Sequence, residues 1–92
     1  MISLEDLIGF SDLTPEEVHA IAEHEHIVDA IAAMLGLSLL RTEHGPKQIR
    51  AMLIDDIRMA VRHHNVPHAR QLVSTLRHFL HEHPGARFRQ AA

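Results

Sequence analysis

The chain has 92 residues, 46% of them hydrophobic, with four Gly, four Pro and no Cys. That length carries one domain with one modest core, the composition excludes a disordered polymer, and the lack of Cys excludes disulfides and thiolate metal ligands. A net charge of −3 conceals a division: residues 1–40 hold eight acids and no Lys or Arg, whereas residues 41–92 hold all nine Lys and Arg against four acids.

Halves of opposite sign attract each other, within one chain or between copies. Ten His residues would carry the formal charge from −3 to +7 if all were protonated, so a pH response is expected near the ordinary imidazole pKa of about 6.5. The opening MISLEDLIGF contains two acids and no basic segment, unlike a signal peptide. The longest apolar run, Ile27 to Leu40, is interrupted by Asp29 and is too short for a membrane span. A cytoplasmic protein with no membrane contact is the expectation.

Ser3 and Asp6 are spaced to cap a short helix over Leu4 to Ile8, with Gly9 as its end. The next start is more complete. Thr14 suits the cap, Pro15 the first helical position, and Glu17 the reciprocal place of a capping box; Leu13 and Val18 are spaced as a hydrophobic staple. One long helix is predicted from Pro15 to about Leu40 or Arg41. Its second half is apolar on nearly every side, which predicts burial in a bundle or at an oligomer interface. Ala32 and Gly36 form a small-residue face that lets another helix approach closely.

Thr42 to Gly45 reads as a turn, Pro46 as the start of a second helix reaching His64, and Asn65 as its stop. The apolar stripe Ile49, Met52, Leu53, Ile57, Ala60 and Val61 runs along that helix, with Asp56 in its middle. Pro67 opens a third helix whose stripe is Ala69, Leu72, Val73, Leu76, Phe79 and Leu80, and residues 84–92 read as a frayed tail. The predicted fold is all-α: a long first helix, an antiparallel helical hairpin and a short N-terminal helix, assembled as a dimeric bundle.

Glu16, His19, Glu23 and His26 follow one another at i, i+3, i+7 and i+10. At about 100° per residue, all four fall within roughly 80° of one helical face. Carboxylate and imidazole groups on one stripe suit a divalent metal such as iron or zinc. Asp56 is the inward carboxylate placed to complete such a set. The two Glu-x-x-His pairs resemble the helix-bundle di-iron and di-manganese carboxylate proteins, in which such pairs from two helices join a carboxylate from each of two others. The resemblance is confined to Glu16–His19 and Glu23–His26. The chain offers three main helices where that arrangement uses four, so a homodimer would have to supply the rest. With iron bound, the resemblance implies ferroxidase-like chemistry; nothing in the sequence itself points to turnover.

The competing reading makes the stripe a solvated face with weak i,i+3 and i,i+4 contacts, and Asp56 half of a structural ion pair with an Arg. Glu25, on the apolar side, is expected to find an Arg as well. The protein is then a metal-free interaction or regulatory module, assembling as a homodimer or higher homo-oligomer and open to a protein partner. Nucleophilic catalysis has no support, since Ser11, Ser38 and Ser74 lack an elbow or Gly-rich setting. Arg70, Gln71, Ser74 and Arg77 share one side of the third helix, but a net acidic chain nearly free of aromatic residues is a poor nucleic-acid binder.

Overall fold

A computed structural model describes residues 2–88, and every regular element in that range is helical: α1 (Leu4–Phe10), α2 (Pro15–Glu25), α3 (Asp29–Leu40), α4 (Gly45–Arg62), α5 (Val66–Glu82) and a short 3₁₀ turn (Pro84–Ala86). No helix among the described residues is long and apolar enough to cross a membrane.

Both N-terminal capping boxes form as the sequence predicts. Ser3 and Asp6 close the start of α1, and Thr14 and Glu17 close that of α2, with the Glu17 carboxylate accepting from the Thr14 N–H at 2.9 Å. Each box satisfies two backbone donors that a bare helix end would leave open.

The long first helix does not exist as one element. It stops at His26, which adopts a left-handed conformation (φ 57°, ψ 44°), and the Ile27 N–H turns back to the Ala22 carbonyl at 3.1 Å. This is a Schellman-type end, with a residue other than the usual Gly in the left-handed position. Two β-branched residues follow, Ile27 and Val28; Val28 is extended (φ −75°, ψ 156°), and Asp29 opens the next helix. The chain uses the same device at the far end of α4. There His64 takes the positive φ of 58°, and the Asn65 N–H reaches the Ala60 carbonyl at 2.8 Å. Asn65, expected as the stop of α4, serves as the cap of α5 and accepts from the His68 N–H at 3.3 Å.

The break at His26 lets α3 fold back on α2, while α4 and α5 form the expected hairpin and pack against α2. The core is built from Val18 and Ile21 of α2, Ile49 and Leu53 of α4, and Leu72 and Phe79 of α5. Burying each such side chain contributes about 1.5–3 kcal/mol. Ala32, Ala33 and Gly36 are also buried, so the small-residue face is used inside the chain. A methyl group added at Gly36 would overlap the end of Leu13 and lie 3.2 Å from Ile21 Cδ1. The chain does not fray at Pro84: Ala86 is fully buried, its carbonyl accepts from Arg50 Nη1 at 2.9 Å, and the Arg50 guanidinium lies 4.3 Å from the Phe88 ring centre. The rest of the expected tail, residues 89–92, lies outside the described residues.

Candidate functional site

Because α2 ends at His26, the four-residue stripe divides. Glu16, His19 and Glu23 border a hollow of about 240 Å³ between α2 and α5. His26, at the left-handed turn, faces a different cleft of about 670 Å³, which Glu23 and Asp56 also line. Of the four, Glu23 alone lines both, as does its partner His68 of α5.

Three imidazoles of this region each take a carboxylate partner on another segment. His19 Nδ1 lies 2.6 Å from Asp29 of α3, His68 Nε2 lies 2.6 Å from Glu23, and His24 Nε2 lies 3.1 Å from Asp55 of α4. These three pairs join α2 to α3, α5 and α4 in turn. His24 is held from both sides, since its Nδ1 lies 3.0 Å from Glu25. A neutral imidazole has one N–H and cannot donate to both carboxylates at once. Burial pushes the His24 pKa down, but the hydrogen bonds to Asp55 and Glu25, with the charges of Asp56 and Glu25, outweigh it and hold the value above the ordinary 6.5. Glu25 is exposed and has this imidazole for its partner, where an Arg was expected.

Asp56 differs from these paired groups. It is 4% exposed, its Oδ2 is buried with no hydrogen-bond partner, and the expected Arg is absent among the described ion pairs. Burial, reinforced by the nearby charge of Glu23, raises its pKa to about 7, against the opposing pull of His24 and His68. A proton relieves part of the cost of holding a carboxylate out of water. Near neutral pH this side chain divides its time between an acid that donates and a base that accepts.

A second carboxylate of this kind was not legible as a site. Glu17 is 1% exposed; while Oε1 completes the capping box, Oε2 is buried without a partner beside a separate cleft that His78 and His83 also line. Burial raises its pKa above 4.5, against the Thr14 hydrogen bonds and the two imidazoles. The capping-box spacing identified Glu17 correctly, but spacing carries no information on what covers the other oxygen. The spacing of residues does not reveal the pairs His24–Asp55 and His68–Glu23, because each joins two different helices.

Among the described residues, no three His, Asp or Glu side chains stand close enough together to hold a metal ion. Glu16, His19, Glu23, His26 and Asp56 therefore do not converge as a ready-made coordination shell. Compared with family models, curated proteins and solved structures, the chain matches none.

Proposed function

We propose that this protein is a non-catalytic assembly module that associates with further copies of itself through the outer face of α3. The observation that carries this reading is the exposure of that face. Ile31 and Met34 are 51% and 57% exposed, and with half-buried Leu35 they follow the i, i+3, i+4 spacing of one helical stripe. The only charged residue of α3, Asp29, is engaged by His19. An uncharged ridge of large apolar side chains is the kind of surface that marks a protein interface. The chain's opposite charges favour a second copy as the partner, since both signs of a complementary pair are carried on one molecule. Sedimentation of the untagged protein at micromolar concentration is expected to give a dimer or larger species, reduced by Ile31→Glu with Met34→Glu. A wild-type chain that stays monomeric would overturn the reading.

A second reading, divalent-metal binding, draws support from Asp56. Asp56, one of whose oxygens is buried without a partner, lines the same cleft as Glu23 and His26, and iron or zinc would suit such donors. Loading would require the Glu23–His68 and His24–Asp55 pairs to open. Elemental analysis after dialysis against zinc or iron is expected, on this reading, to show stoichiometric metal that Asp56→Asn removes. Metal at background level would end it.

A further inference from the structure

Ile57 and Val61 of α4 and Val66, Ala69 and Val73 of α5 floor an open groove of about 570 Å³ that no residue of α2 lines. Val61 and Val66 are 60% and 53% exposed, so the hairpin leaves this surface uncovered. Arg70 and Arg77 stand on its rim with His64, and no carboxylate lines it. The groove is apolar in its floor and positive at its edge.

The ridge on α3 has the complementary character. Its exposed residues Ile31 and Met34 are apolar, Glu25 is exposed in the chain before it, and α1, packed against α3, exposes Glu5 and Asp6. From this match of apolar surface and of charge we infer that the α4/α5 groove of one copy receives the α3 ridge of another, with Arg70 and Arg77 facing the acidic residues beside the incoming helix. The mode is a helix laid in an apolar groove between two helices, with charge setting its orientation. It rests on the assembly reading above but differs from a simple pairing of α3 with α3, because the two contacting surfaces are different parts of the chain. Such a contact is heterologous. It propagates, or closes when the second groove is filled reciprocally or in a ring.

Two double variants and their mixture test this. The groove variant, Arg70→Glu with Arg77→Glu, alters exposed side chains and is expected to keep the helical circular dichroism and urea midpoint of the wild type. It should weaken self-association roughly tenfold or more, because like charges then face each other. The ridge variant, Ile31→Glu with Met34→Glu, should do the same. Mixing the two restores association, since the groove variant keeps an intact ridge and the ridge variant an intact groove. Raising the salt from low to several times physiological strength should weaken the wild-type assembly as the charges are screened.

If the groove variant associates as strongly as the wild type and mixing adds nothing, the assembly reading survives, and α3 pairs with its own copy instead. If the groove variant fails while the ridge variant associates normally, some other element fills the groove and the inference falls. If the wild type is monomeric, both the inference and the assembly reading fall together.

Discussion

α2 and α3 come from one stretch that reads as a single helix, yet they relate to the rest of the molecule in opposite ways. α2 carries charge on one side and buries Glu17, Val18, Ala20, Ile21 and Ala22 on the other, and its imidazoles and carboxylates reach α3, α4 and α5. α3 is almost uncharged and buries Ala32, Ala33 and Gly36, its small residues, while larger ones such as Ile31 and Met34 face outward. Apolar content alone thus does not decide what a fold covers. The smallest side chains of α3 allow its backbone close to Leu13 and Ile21, which leaves Ile31 and Met34 on the far side and Leu35, Leu39 and Leu40 half-buried between the two.

The largest expected effect that sharpens this contrast comes from a pair of identical truncations. Ile21→Ala removes a fully buried side chain and should cost about 2–5 kcal/mol in urea unfolding, from lost burial and the cavity left behind. Ile31→Ala on the outer face of α3 should change the stability of the dilute protein by no more than about 0.5 kcal/mol. Equal losses at both sites would show that α3 is covered within a single chain.

Next in size is the pH dependence at the α2–α4 junction. The Asp56 pKa of about 7 lies above its ordinary 3.8, so the folded chain holds a proton that the unfolded chain releases. That contribution to stability is complete below about pH 4 and is lost as the pH rises through about 7. The raised His24 and Glu17 values act with the same sign, each favouring the folded state at lower pH. Asp56→Asn should therefore raise stability at pH 8 by up to about 4 kcal/mol and have little effect near pH 4. A stability gain that does not vary with pH would show that the carboxyl is not the titrating group.

The smallest effect tests the break itself. His26 holds φ 57°, a region where Gly is free of the penalty other residues meet. His26→Gly should stabilise the fold by about 0.5–1 kcal/mol in thermal melts. Were α2 and α3 continuous, the same change would cost about 1 kcal/mol as a glycine in a helix interior. The sign of the shift settles the matter.

Much of the local structure was legible in the order of residues. Ser3/Asp6 and Thr14/Glu17 formed their capping boxes because the donors and acceptors lie within one turn, and the helical hairpin followed from two regular apolar stripes. The break at His26 was harder to see, since the residue offers no Gly or Pro. The available signal was Ile27 and Val28, both stiff at χ1, ahead of an Asp suited to a first turn. The expected Arg partners of Glu25 and Asp56 could not be tested from spacing, because a partner on another helix depends on how the helices cross.

From the order of residues alone follow the helical character of the chain, where most of its helices start, and which stripe of α4 and of α5 carries the apolar side chains. These properties depend on neighbours three or four residues apart. The packing of the helices is what divides the Glu/His stripe between two hollows, leaves Asp56 with an unpartnered oxygen and turns the small residues of α3 inward. Those outcomes depend on which distant surfaces meet, and the cost of burying a charge or exposing an isoleucine is set by that meeting.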